Sequence, residues 1–408
     1  MREEFYNANL QYYDFPIPVK KALAIFGAHG YRAYVVGGAV RDIFRGVPVH
    51  DWDSAAETSP DMTKQLFSAY RCYDTGIKHG TVTVNIDGEL IEITTFRTDG
   101  EYKDSRHPEN VIFTNSLYED LKRRDFTINA MAFNLYMDLE DPYGGMSDLS
   151  ANLIRAVGDP VKRFTEDALR IMRAYRFSAT LLFDIDEKTL EASRACAGRL
   201  ANISRERINE EWKKLLSAEF CGKTLVTMKK YGVMSAIFPE VSHSDEYLMG
   251  IEKLPADYIL RSAAFFKAIP FDKIPSAAAR INFTSSELTS VRSVIHAYKD
   301  IAFDPYQNLR RYCYLNSIFA FRGAALANHV SELSSDTLSE ISRIMDDPAM
   351  IWSRKELKIN GNDILSAYHV SPRDIGRITD ELVLRIVDGT LSNERNVLLS
   401  EVGKIIKR

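Results

Sequence analysis

One stretch, AYVVGGAVRDIFRGVPVHDWDSAAET from Ala33 to Thr58, leaves this chain few ways to fold. An apolar strand comes first and breaks at Gly37 and Gly38. A short helix opens through Ala39, Val40, Arg41 and Asp42, and a second strand carries Asp51 and Asp53. Side chains alternate along a strand, so the two aspartates point one way and Trp52 the other. Paired carboxylate oxygens suit a hard divalent cation. The glycines let backbone N–H groups approach an anion, and the helix behind them aims its positive end at the same place. Taken singly, a Gly-Gly pair is a tight turn and an Asp-x-Asp pair a solvated strand edge. Together they predict a site for a triphosphate and a magnesium ion.

Gly-Gly-x-x-Arg-Asp followed by Asp-x-Asp resembles the nucleotidyltransferases of the DNA polymerase beta superfamily. The resemblance is to the class II branch, which holds tRNA CCA-adding enzymes and bacterial poly(A) polymerases. It implies an α+β chain: a nucleotidyltransferase head on a small mixed sheet, then an all-helical neck, body and tail. It also implies two Mg²⁺ on Asp51 and Asp53, and phosphates held by Gly38 and Arg41.

At 408 residues the chain exceeds what one hydrophobic core usually supports. We divide it into a head over 1–148, a neck over 149–245 and a tRNA-binding body and tail over 246–408. The net charge of -4 does not announce a nucleic-acid binder, so local basic clusters carry that reading. The four cysteines, Cys72, Cys196, Cys221 and Cys313, have neither disulfide nor zinc spacing and read as reduced thiols. The acidic N-terminus lacks a signal peptide's pattern and no membrane span is expected, which points to the cytoplasm.

Residues 16–30 read as an amphipathic helix on Val19, Ala22, Leu23, Ile25 and Phe26, stopped by Gly30. Pro60 and Asp61 open another, with Met62, Leu66 and Phe67 on its apolar side. Val82, Val84 and Ile86 alternate toward a type I′ turn at Asp87-Gly88, and a return strand runs from Leu90 to Arg97. Glu92 is the acid in that strand. On residues alone it is a solvated charge; by resemblance it is the third carboxylate, a partner for metal or for the primer hydroxyl.

Residues 98–116 are polar and hold Gly and Pro, so they read as a long loop. Its Asp-Gly-x-Tyr-x-Asp-x-Arg-x-Pro pattern resembles the family's flexible loop, which implies a part in the final A addition. Lys122, Arg123 and Arg124 form a basic cluster before Asp125. The family's Arg-Asp-Phe-Thr-x-Asn-Ala motif implies that Arg124 contacts nucleotide, while Asp125 and Asn129 hold local geometry. Asp141-Pro-Tyr-Gly-Gly followed by Asp148-Leu resembles the hinge between head and neck.

Thr165 reads as an N-cap with Glu166 and Asp167 in the first helical turn. Ala168, Leu169, Ile171, Met172, Tyr175 and Ala179 then gather on one side of the helix. Asp167, Arg170, Arg173 and Arg176 follow a stripe on the other. Such arginines are ordinarily solvated. The stretch resembles the family's Glu-Asp-x-x-Arg motif, which implies that Asp167 and Arg170 read the base while Arg173 and Arg176 support the nucleotide site. Cytosine and adenine both offer an amino donor beside a ring-nitrogen acceptor, so one carboxylate and one guanidinium accept both and reject G and U.

Beyond residue 185 the periodicity is helical, at 190–200, 208–216, 224–231, 288–298 and 336–345. Basic and aromatic residues mix at Arg205, Arg207, Lys213 and Lys214, and from Asn308 to Tyr314, as RNA-binding or solvated helices do. ELKINGNDILSAY and VDGTLSNERNVLL resemble the tail of Gram-positive CCA-adding enzymes. The expected activity is template-independent addition of CCA to tRNA, with CTP and ATP as the other partners and a homodimeric assembly left open. The alternatives are an A-adding enzyme or poly(A) polymerase, a small-molecule or protein nucleotidyltransferase, and a catalytically idle RNA-binding protein.

Overall fold

The computed structural model describes residues 14–99, 111–303, 308–329, 335–368 and 370–407. The chain divides into two units, Met1–Glu240 with Arg280–Asn282, and Val241–Ala279 with Phe283–Arg408.

The first unit opens with helix α1 (Ile17–Ala28), which buries Val19, Ala22, Leu23 and Phe26, one face of a helical period. Strand β1 (Ala33–Val36), helix α2 (Gly38–Arg45), strand β2 (Asp53–Ala56) and helix α3 (Pro60–Leu66) follow. The Ser59 hydroxyl caps α3 by accepting the Met62 N–H. On that helix Pro60 and Thr63 are buried, followed by Phe67, while Met62 and Leu66 are only half-buried. Strands β3 (Arg71–Gly76), β4 (Thr81–Ile86) and β5 (Glu89–Thr95) complete a meander. The turn between β4 and β5 has positive φ at both Asp87 and Gly88, as a type I′ turn requires. Val82, Val84 and Ile86 are fully buried.

A two-stranded ribbon, β6 (Arg97–Asp99) with β7 (Val111–Phe113), leads to helix α4 (Leu117–Lys122) and the short strands β8 (Ala132–Phe133) and β9 (Leu139–Glu140). The expected loop falls largely on residues 100–110, outside the described residues. One mixed sheet has the order β3-β4-β5-β2-β1-β8-β9. Only β2 and β5 in it run parallel, with Asp53 opposite Glu92. No strand reaches Asp51, because the pairing of β2 with β5 starts at Asp53 and that with β1 ends at Ser54. The second acidic strand therefore carries Asp53 alone, with Asp51 in the segment leading into it.

Helix α5 (Gly145–Ser150), strand β10 (Leu153–Ile154) and helices α6 (Pro160–Glu166) and α7 (Leu169–Leu181) come next. Thr165 is not a cap. Helix α6 already began after Asp159, whose carboxylate accepts the Val161 and Lys162 N–H groups with Pro160 in the first turn. The chain breaks at Asp167, with φ -141° and ψ 105°, and restarts in α7. Strand β11 (Asp184–Ile185) pairs with β10, and helices α8 (Glu187–Cys196), α9 (Arg205–Leu216), α10 (Cys221–Lys230) and α11 (Val233–Ile237) close the unit.

The second unit is helical in its described residues, from Asp245–Gly250 to Arg395–Ile406. Its core holds Ile341, Ile344, Ile378, Leu382, Ile386, Leu398 and Val402. A Cβ on Gly323 would stand 2.7 Å from Ala297, so the glycine lets helices Ser285–Phe303 and Ile318–His329 approach closely. The basic-aromatic run at 308–314 is internal wiring: Tyr312 and Cys313 are buried, Arg310 binds Asp347 and Arg311 binds Asp388. No disulfide joins Cys72, Cys196, Cys221 or Cys313. Among the described residues no helix is long and apolar enough to cross a membrane.

Candidate nucleotide and metal site

A cleft of about 460 Å³ in the first unit is lined by seven arginines and three aspartates. Gly38, Arg41, Asp53, Arg124, Asp167, Arg170, Arg173 and Arg176, all singled out from sequence, line it together. Asp51 and Glu92 lie outside the lining, beside Asp53 in sequence and in strand register respectively.

One wall is the Gly-Gly turn. Gly37 has φ +74°, and a Cβ there would stand 3.0 Å from Arg124 Nη1. Only glycine both adopts that backbone and leaves Arg124 its seat. Four residues on, Arg41 is 9% exposed and donates twice to Asp42 and, at 2.7 Å, to Asn129 Oδ1. Asn129 donates in turn to Asp125. Arg123 and Arg124 share the fully buried Asp120, whose carboxyl stays below its usual range because the two guanidiniums outweigh desolvation.

The opposite wall is the start of α7. Asp167 Oδ1 accepts the Leu169 N–H at 3.0 Å, and its Oδ2 accepts Arg207 Nη2 at 2.8 Å. Arg170 donates to Glu166 at 2.9 Å and to the carbonyls of Arg163 and Arg123. Arg173 binds Asp125 and Arg176 binds Glu211 from α9. The stripe of arginines is thus ion-paired rather than solvated. Asp125 is held at about 2: desolvation alone would raise it, but Arg173, Asn129 and the Phe126 N–H prevail.

Sequence reasoning missed several members. Glu166, the last residue of α6, pairs with Arg170 of α7 across the break at Asp167. Arg207, which the sequence leaves open between an RNA contact and a solvated helix, reaches Asp167 across 40 positions, for which no local signal exists. Phe177 lines the cleft without any polar atom to mark it.

The acidic corner suits a hard cation. Desolvation raises the carboxyl pKa of Asp53, Asp51 adding to this and Arg124 opposing it. Desolvation, then Asp53 and Asp51, does the same for Glu92. Such mutual repulsion is relieved by a divalent cation. Among the described residues no three His, Cys, Asp or Glu side chains form a complete metal cage. Two carboxylates, with substrate phosphates and water for the rest, are how Mg²⁺ is usually held.

Known proteins resemble this chain over most of its length. The family described as the poly A polymerase head domain matches residues 33–155, and a probable RNA and SrmB-binding site of polymerase A matches 182–244. The CCA-adding enzyme of Streptococcus suis (strain 05ZYH33) is 36% identical over 408 residues, 97% of this chain and 98% of its own length. That of Ligilactobacillus salivarius is 35% identical over 97% of this chain and 98% of its own length. The crystal structure of the Bacillus stearothermophilus CCA-adding enzyme in complex with CTP aligns with a TM-score of 0.75 at 29% identity, covering 96% of this chain and 98% of that one. The Thermotoga maritima CCA-adding enzyme complexed with tRNA, 20% identical over 98% of both chains, shares the fold with a TM-score of 0.68.

Proposed function

The chain belongs to the CCA-adding enzymes, and from that premise we propose how its cleft divides the work of tRNA nucleotidyl transfer. The enzyme adds C, C and A to the 3′ end of tRNA from CTP and ATP, without a nucleic-acid template. The observation that carries the assignment is one cleft whose lining presents seven arginines and three aspartates, with Asp53 in one wall and Asp167 and Arg170 in another. That lining has a formal excess of four positive charges, close to the roughly four negative charges of a nucleoside triphosphate. Asp42, Asp120, Glu166 and Glu211 stand behind the arginines and limit their mutual repulsion.

The tRNA 3′ hydroxyl attacks the α-phosphorus in line, and pyrophosphate leaves. Gly38, at the start of α2, and Arg41 hold the phosphates, with Arg124, Arg173 and Arg176 completing the cradle. Asp51 and Asp53 would hold the divalent cation, proposed as Mg²⁺, which when bound acidifies the attacking hydroxyl and offsets triphosphate charge. Glu92, opposite Asp53, accepts a hydrogen bond from the primer hydroxyl. Asp167 accepts from the amino group of C or A, and Arg170 donates to the ring nitrogen. Arg207 donates to Asp167 Oδ2 and orients the carboxylate, whose oxygens repel the carbonyl of G or U.

The deciding experiment gives all four nucleoside triphosphates to tRNA lacking its last three nucleotides and sequences the product. The expected product ends in CCA. A product extended by A alone, or by a run of A, would replace this reading with the A-adding or poly(A) alternative.

A further inference from the structure

Three guanidiniums converge on the ring of Phe177. The Arg176 Cζ lies 3.8 Å from the ring centroid, that of Arg41 5.3 Å and that of Arg173 5.4 Å. They arrive from two elements. Arg173 precedes Phe177 by four residues on α7 and so shares its face. Arg176, the preceding residue, folds over the ring, and Arg41 reaches it from α2. The ring is 6% exposed and stands edge-on to Phe126, with centroids 5.8 Å apart and planes at 84°. Each guanidinium also has an acid: Asp42 for Arg41, Asp125 for Arg173, and Glu211 for Arg176 and, at 3.9 Å, for Arg173 too.

Three like charges gathered this closely repel one another. Desolvation, with the charge of Arg173 adding to it, holds the Arg176 guanidinium below its usual pKa despite Glu211. Glu211 reaches Arg173 and Arg176, while Arg41 is held by Asp42. What the guanidiniums share is the electron-rich face of one aromatic ring, which attracts cations most strongly where water is excluded.

We propose that Phe177 is a positioning residue for nucleotide binding, its π face seating Arg41, Arg173 and Arg176 as one triphosphate-binding group. The proposal rests on reading the cleft as the triphosphate site. Because the base is read by Asp167 and Arg170, the effect of Phe177 is the same for CTP and ATP. A ring kept only for packing would be indifferent to its electron density.

That difference sets the test. Phenylalanine bearing one, two or three ring fluorines is placed at position 177 of the full chain, which preserves shape while draining the π face. Kd for CTP and for ATP is measured, with the thermal midpoint and the preference among the four nucleotides. Each fluorine should weaken both nucleotides by about two- to threefold, leaving midpoint and preference unchanged. Phe177→Tyr should stay within about twofold of the unaltered chain, and Phe177→Leu should lose about tenfold. A flat fluorine series would overturn the proposal whether or not Phe177→Leu folds. If the unaltered chain bound neither CTP nor ATP, the assignment of the cleft itself would fall.

Discussion

Asp167 serves two masters within its own chain: it receives the Leu169 N–H at the start of α7 and the Arg207 guanidinium from α9. Asp167→Ala should therefore act twice. Loss of the bond to the Leu169 N–H should cost about 1 kcal/mol of stability, visible as a lower thermal midpoint. Loss of the acceptor should weaken CTP and ATP by roughly 1.5–3 kcal/mol while relieving the penalty on G and U. In a four-nucleotide competition UTP, the size of CTP, should be the first intruder. Unchanged ratios with a lowered midpoint would leave Asp167 only a support for the start of α7. Asp53→Asn should abolish transfer with tRNA binding nearly intact, checked by turnover in Mg²⁺ beside a tRNA binding titration; near-normal turnover would remove Asp53 from the metal site. At this scale the local motifs picked out residues that the fold places in one cleft, such as Gly38, Arg41 and Asp53. It was silent about Arg207, because a contact across 40 positions is made by the fold and not by spacing.

Among the elements, the two helices on either side of Asp167 show best where sequence reading stops. Thr165, Glu166 and Asp167 resemble a helix start, yet the preceding Asp159-Pro160 is a stronger one, and the first helix runs through Glu166. Whether two such starts yield one helix or two is decided by packing. Here the break places Glu166 to bind Arg170 and Asp167 to face the cleft. The Asp125–Arg173 pair, which joins α7 to the segment after α4, makes a pH prediction. Asp125 falls from its usual 3.8 to about 2 in the fold. A depressed carboxyl stabilises the folded state above the unfolded pKa, so its contribution is present above about pH 4 and is lost as pH falls toward 2. Asp125→Asn should cost about 2 kcal/mol at pH 7 and flatten the loss between pH 4 and 2, read from urea unfolding at several pH values. Gly145→Ala tests the start of α5, where a Cβ would stand 2.3 Å from the Thr127 carbonyl oxygen. A backbone atom cannot swing aside, and the variant should lose about 3 kcal/mol, or fail to fold at 37 °C.

For the whole molecule, the α+β class and the helical remainder were legible because a period of two and a period of three to four are easily told apart. The order of the seven strands was not, since β1 pairs with β2 and β8 through contacts that no local pattern announces. Nor did a net charge of -4 disclose a cleft lined by seven arginines. The ribbon of β6 and β7 ties residue 99 to residue 111. Shortening the intervening segment within 101–109 should leave that ribbon intact, spare C incorporation and stop the product at CC; equal loss of C and A would give the segment a structural role instead. A further consequence lies in the acids behind the arginines. Arg41 has Asp42, Arg170 has Glu166, Arg173 has Asp125 and Arg176 has Glu211. An enzyme that completes three additions on one tRNA must discharge pyrophosphate and admit a new nucleotide each time. If these arginines hold the triphosphate as proposed, a resident counter-charge for each gives them a paired arrangement to return to between rounds, without ions borrowed from solution.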